Sequence, residues 1–233
     1  MDTALILGIS AIVALAITLW RPSSKAVKYL TTLFHEVGHA VVALILGGHI
    51  QRIRIEADGS GATGTAHAIR LRYKLVRIIE LLAGYSFPVN VGTALIMFSW
   101  IGVEPLYLLI FTGLVALFAL IFIRNLFGLL VIVIYASLIG ASFLLQGIIP
   151  ISYPMAVIGF LLFFVGIKDI KNVTSMNLQK MRNPENKNDF QLLKDETFIP
   201  ALVWNILFII GQAAAILGIV FLINYYAPSL VQQ

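Results

Sequence analysis

The chain contains no cysteine, which excludes disulfides and thiolate metal ligands and leaves the redox compartment undetermined. Charge is nearly as scarce. Asp, Glu, Lys and Arg make up 12% of the 233 residues, hydrophobic types make up 60%, and mean hydropathy is +0.95. An ordinary soluble domain carries about twice that charge. A soluble fold would leave too much apolar surface in water, so the chain reads as an integral membrane protein. Long polar stretches are also missing, so residues 1–233 are expected to form a single transmembrane domain. There is no internal repeat and no low-complexity tract.

What the sequence has in abundance is apolar runs: Thr3 to Trp20, Tyr29 to Gly47, Val76 to Ile101, Pro105 to Ile123, Leu126 to Leu145, Ile148 to Ile167 and Phe198 to Tyr226. Each is close to the roughly 20 residues a helix needs to cross hydrocarbon. The expected fold is an all-α polytopic membrane protein with about six or seven membrane helices. The first run lacks a basic leader and ends in Trp20-Arg21-Pro22 instead of a small-residue cleavage site, so it is expected to stay attached as a span. A basic link, Arg21 to Lys28, follows it.

Between His49 and Lys74 the chain turns polar and glycine-rich. Arg52-Ile53-Arg54-Ile55-Glu56 alternates with period two, Asp58-Gly59-Ser60-Gly61 carries turn chemistry, and Ala62 to Ile69 leads away. That pattern predicts a β-hairpin. The net charge of +5 comes from Lys and Arg in short segments flanking the apolar runs, which suits lipid headgroups and not nucleic acid. If every run crosses, Arg21, Lys25 and Lys28 lie opposite Arg52, Arg54, Arg70, Arg72 and Lys74. If Tyr29 to Lys74 instead enters and returns, all 16 Lys and Arg residues lie on or near one face, as basic loops prefer. A re-entrant unit turning at Gly47-Gly48 is therefore expected. Its small hairpin should border a cavity, because non-helical backbone at membrane depth needs shielding.

Inside the second run lies Phe34-His35-Glu36-Val37-Gly38-His39-Ala40. Ionisable groups amid apolar ones are costly unless something binds them. On a helix, residues i and i+4 share a face, so His35 and His39 aim two imidazoles at one point. That spacing suits a tetrahedral Zn2+, with Glu36 placed as general base toward its water. Gly38 leaves the adjacent face bare, either for packing or for close approach of a substrate. Such a site wants a third protein ligand. His49 and His67 qualify by type but lie in the hairpin, where a histidine is commonly solvated. Glu80 has Arg77 one turn away as an ion-pair partner. Asp169 ends a long apolar run on the face from which the His35 helix enters, and is the first candidate; it equally suits a helix-end pair with Lys168 or Lys171. Asp189 in Asn188-Asp189-Phe190 is the second candidate.

His35-Glu36-Val37-Gly38-His39 in a membrane helix, followed by a glycine-rich strand pair, resembles the site-2 protease family of intramembrane zinc metalloproteases, in particular its compact bacterial branch. Gly166-Ile167-Lys168-Asp169 is similar to that branch's Gly-x-x-x-Asp element. Asn188-Asp189 is similar to its Ser/Asn-Asp element, and Thr197 to Trp204 to its Thr-x-x-Pro-x-x-x-Trp element. The resemblance runs from Phe34 to Trp204. It implies a single metalloprotease domain that cleaves membrane-embedded or membrane-proximal peptide bonds, with an Asp as third zinc ligand, in a bacterial cell membrane with the basic loops cytoplasmic. The usual Leu-Asp-Gly ligand motif is replaced here by Lys168-Asp169-Ile170. Gly84-Tyr85-Ser86-Phe87-Pro88-Val89-Asn90 is a stretched form of the family's Gly-Pro-x-x-Asn element. Asn90 is thus expected either to hold a substrate carbonyl or oxyanion or to cap a helix broken at Pro88. The edge near Arg52 to Glu56 is expected either to receive unwound substrate by strand addition or to belong to a hairpin that simply plugs the cavity. Two other classes fit the composition. A transporter should show broken helices in matching halves, which the sequence lacks; a silent scaffold should show a degraded motif, which here is intact.

Overall fold

The structure, a computed structural model, describes residues 3–66, 73–179 and 187–231. In chain order the elements are α1 (Thr3–Leu19), α2 (Arg21–Ile45), β1 (His49–Ile55), β2 (Gly61–Ala66), α3 (Tyr73–Ile101), α4 (Pro105–Phe122), α5 (Leu126–Leu144), α6 (Ser152–Leu178), α7 (Asp189–Thr197) and α8 (Ala201–Val231). The chain is an all-α polytopic membrane protein with one small antiparallel sheet. Among the described residues, Lys74–Ile101, Leu126–Leu144, Ser152–Leu178 and Ala201–Tyr226 are long and apolar enough to cross a membrane. A fifth span is reached if α1 and α2, bent by 104°, count as one unit. This is fewer than six or seven because α1 and α2 share one bent unit and the apolar helix Leu106–Phe122 is shorter than the others.

Two boundaries differ from the sequence-based expectation. The basic link Arg21 to Lys28 is helical, forming the first turns of α2. Pro22 falls in the first turn, where a missing N–H costs no helical bond, and the Ser23 hydroxyl reaches the carbonyls of Ile17 (2.5 Å) and Trp20 (3.0 Å) at the bend. The second difference is α6, which runs past Ile167 to Leu178, so Asp169 lies inside a helix and not at its end. α3 also passes through Pro88 without stopping.

Lipid is as apolar as the helix side chains, so close packing and hydrogen bonds, more than transfer from water, hold these helices together. α3 is the central post, packed on α2, α6, α7 and α8. Its contact with α2 is tight at Gly38, where a Cβ would stand 2.6 Å from Phe87 Cβ and 2.8 Å from the Ala83 carbonyl oxygen. Close helix approach is therefore the role this glycine fills. Phe34 is fully buried and meets Tyr135 of α5 edge-on at 5.5 Å.

The hairpin turns at Gly59, whose φ of 84° suits glycine. Its tip is tied to α2 by Tyr29 Oη, which donates to the Ala57 carbonyl (2.7 Å), and by Thr32 Oγ1, which donates to the Gly59 carbonyl (3.0 Å). β1 pairs with β2 with Ile53 opposite Thr63, and Ile53 and Ile55 are fully buried. The outer edge of β1 is occupied. Arg124 N–H donates to the Ile53 carbonyl (3.1 Å), Asn125 Nδ2 donates to the Ile55 carbonyl (2.6 Å), and Ile55 N–H donates to Asn125 Oδ1 (3.3 Å). The end of the expected return strand, with His67, lies outside the described residues, as do Arg70 and Arg72 after it.

Candidate metal centre

The site begins with the helical spacing of α2. His39 Nδ1 lies 2.8 Å from the main-chain carbonyl oxygen of Glu80 on α3. That oxygen only accepts, so Nδ1 carries the proton and Nε2 presents a lone pair. The Nε2 atoms of His39 and His35 stand 3.1 Å apart. Into the same point comes Asp189, its Oδ2 3.2 Å from His35 Nε2 and 3.5 Å from His39 Nε2. Asp189 Oδ2 is buried and accepts no hydrogen bond.

Two imidazole nitrogens and a carboxylate oxygen meeting at one point offer a cation three ligands. Atoms each about 2.0–2.1 Å from a tetrahedral zinc stand roughly 3.3–3.4 Å from one another, close to the separations found here. The residues therefore fit Zn2+. His35, His39 and Asp189 are the one group of this kind among the described residues.

Glycine makes the convergence possible. A Cβ on Gly84 would sit 2.5 Å from His39 Nε2 and 2.7 Å from His35 Cε1, so only a bare Cα lets α3 lie over the rings. The next residue, Tyr85, sets its ring edge-on to His35 at 4.6 Å and stacks on Phe190 of α7 at 5.3 Å. Phe190 adjoins Asp189, so this stack helps fasten α7 above the histidines.

Asp189 is positioned by its own helix end. Asn188 is the N-cap: its side chain accepts from the Gln191 N–H (3.1 Å), and the Gln191 side chain accepts in return from the Asn188 N–H (3.4 Å). Asn188 Nδ2 also donates to Asn177 Oδ1 of α6 (3.2 Å). Asp189 thus occupies the first turn, where the helix dipole favours negative charge. Burial alone would raise its pKa, but the neighbouring imidazoles of His39 and His35 hold the carboxyl well below the usual carboxylate range.

Glu36, 4% exposed, points toward the hairpin, where Thr63 Oγ1 lies 2.7 Å from its Oε2. All four groups open onto a cavity of about 750 Å³ bounded also by Tyr85, Asp169 and residues 61–63 of β2.

Other candidates fall elsewhere. Asp169, first choice for the third ligand, lines the cavity wall from α6 but is not part of the cluster, because α6 continues through it and holds it there. Asp189, the second choice, is the carboxylate that stands beside the two histidines. His49 is exposed at the start of β1. Glu80 is buried and pairs with Arg77 Nη1 at 2.9 Å. Asn90 accepts a hydrogen bond from Gln212 Nε2 of α8 (2.6 Å) and is not among the cavity-lining residues. It does not cap a break, since α3 is continuous. Thr197 and Trp204 join the turn between α7 and α8 through a Trp204 Nε1 to Thr197 Oγ1 bond of 2.8 Å. The signal that favours Asp189 was present in Asn188-Asp189-Phe190-Gln191, a capping-box pattern that opens a helix with Asp189 in its first turn.

A polytopic helical fold that gathers two histidines and an aspartate beside a buried glutamate has the ligand types of a membrane metal centre. The profile of the family described as Peptidase M50B-like matches residues 8–219, and the chain belongs to that family, within the site-2 proteases. Searches of curated proteins and of solved structures gave no match.

Proposed function

We propose that the protein is an intramembrane zinc metalloprotease that hydrolyses peptide bonds of membrane-embedded or membrane-proximal substrates. The observation that carries this reading is the meeting of two imidazole Nε2 atoms and a carboxylate oxygen at 3.1–3.5 Å beside Glu36. His35, His39 and Asp189 are the proposed ligands. Asp169 is proposed as a wall of the substrate cavity.

Held by His35, His39 and Asp189, Zn2+ would supply Lewis-acid chemistry that lowers the pKa of a bound water toward about 7. Glu36 takes the proton from the attacking water and delivers it to the departing amine. Glu80 orients His39 through its carbonyl, and Tyr85 with Phe190 keeps bulk solvent from the imidazole face.

A transmembrane helix hides its peptide bonds, so the substrate must unwind before cleavage. Strand addition would replace the lost helical hydrogen bonds. The edge near Arg52 to Glu56 is a poor receiver because Arg124 and Asn125 already fill it. β2, Gly-Ala-Thr-Gly-Thr-Ala, borders the cavity and carries only small side chains, so we assign the receiving edge to it. Proline scanning of Gly61–Ala66 should abolish cleavage while zinc stays bound; undiminished cleavage would remove the strand from the mechanism.

The enzyme reading is tested by purifying the native chain beside Glu36→Gln and His35→Ala. Zinc content and cleavage of membrane peptides are then measured. Glu36→Gln should keep zinc and lose about 10²–10⁴-fold in rate, and His35→Ala should lose both. A native chain without zinc would favour a silent scaffold or a transporter.

A further inference from the structure

β2 does more than border the cavity. Its residues at 61, 63 and 65 alternate onto one face, and that face touches α2 and α3 at functional groups. Thr63 Oγ1 lies 2.7 Å from Glu36 Oε2 and 3.1 Å from the main-chain oxygen of the same residue. A hydroxyl has one proton to give, and the carboxylate is the nearer and more strongly attracting acceptor. At Gly61 a Cβ would collide with Glu36 Oε1 and stand 2.7 Å from Thr32 Cγ2. One carboxylate oxygen is therefore held by a hydroxyl while the other occupies the space that a missing side chain leaves. Thr65 Oγ1 donates to Glu80 Oε1 at 2.6 Å, on the residue whose carbonyl orients His39.

We infer that Thr63 and Gly61 are positioning residues for Glu36: the hairpin strand that faces the cavity sets the orientation of the general base. Glu36 sits on a helix, but helical spacing fixes only its Cα and its direction of departure. A glutamate has three rotatable bonds beyond that point, and a base must be held within a few tenths of an ångström to transfer a proton efficiently. α2 supplies the placement and β2 the orientation. Because Glu36 is locked by the strand proposed to receive substrate, disturbance of that edge should reach the base through Thr63.

This inference rests on the proposed protease reading for its kinetic arm, and its spectroscopic arm is independent of it. In the metal-free native protein, the infrared carboxyl band of Glu36 is the one that disappears in Glu36→Gln. That band should shift in Thr63→Val, which removes the hydroxyl at nearly constant volume, and return in Thr63→Ser. In the zinc-loaded protein, Thr63→Val should lower kcat by about 10-fold or more with KM and zinc content unchanged, and Thr63→Ser should restore kcat. Gly61→Ala should lower kcat further by displacing the carboxylate. An unshifted band in Thr63→Val, an unchanged kcat, or a loss that Thr63→Ser fails to restore overturns the inference. If the native protein binds no zinc and cleaves nothing, the protease reading fails and the infrared comparison alone decides this one.

Discussion

Asp169 and Asp189 are the same residue type, lie 20 positions apart and line the same cavity, yet only Asp189 meets the histidines. Asp169 is carried mid-helix by α6, whose packing is fixed nearby: a Cβ on Gly166 would approach Val89 Cγ2 of α3 to 2.7 Å. Its side chain is confined to the face that this packing leaves over. Asp189 opens a nine-residue helix whose cap, dipole and anchoring Phe190 all act at one end. The comparison teaches that a helix end aims a carboxylate more freely than a helix middle does. The sequence element resembling the family's ligand motif and the element that meets the two histidines are thus different.

The contrast can be broken by substitution. The largest effect is expected from Asp189→Ala, which removes a proposed ligand and should abolish both zinc binding and cleavage; zinc retained at native affinity would return the ligand role to Asp169. Next comes Asn188→Ala. Loss of an N-cap costs about 1 kcal/mol of helix stability, and the displaced Asp189 should weaken zinc binding by about 5-fold, measured by competition with a chelator. An unchanged affinity would mean the cap does not position the carboxylate. The smallest effect belongs to Asp169→Asn, for which zinc affinity should change by less than about 10-fold, below the cost of removing a group that orients a metal ligand. A loss as great as that of Asp189→Ala would contradict the assignment.

What could be read from the sequence was local. The spacing of His35 and His39 is set by helix geometry over a single turn, and the hairpin by alternation over a handful of residues, so neither needs knowledge of distant parts. The sequence pattern carries the return strand past Ala66, and its end lies outside the described residues. α2 and α6 extend beyond their apolar runs for a common reason. Arg21 to Lys28 and Lys168 to Lys171 read as membrane boundaries because charge stops hydropathy, but charge does not stop a helix. The third candidate ligand required tertiary information, since two aspartates with similar surroundings in sequence differ only in how α6 and α7 pack against α3. The closed edge of β1 was equally out of reach, because Arg124 and Asn125 come from a link some 70 residues away.

The most direct measurement is metal stoichiometry by elemental analysis on purified native protein and on the two aspartate variants. The account predicts one zinc per chain in the native protein and in Asp169→Asn, and none in Asp189→Ala. No zinc in the native chain, or full zinc in Asp189→Ala, would contradict it.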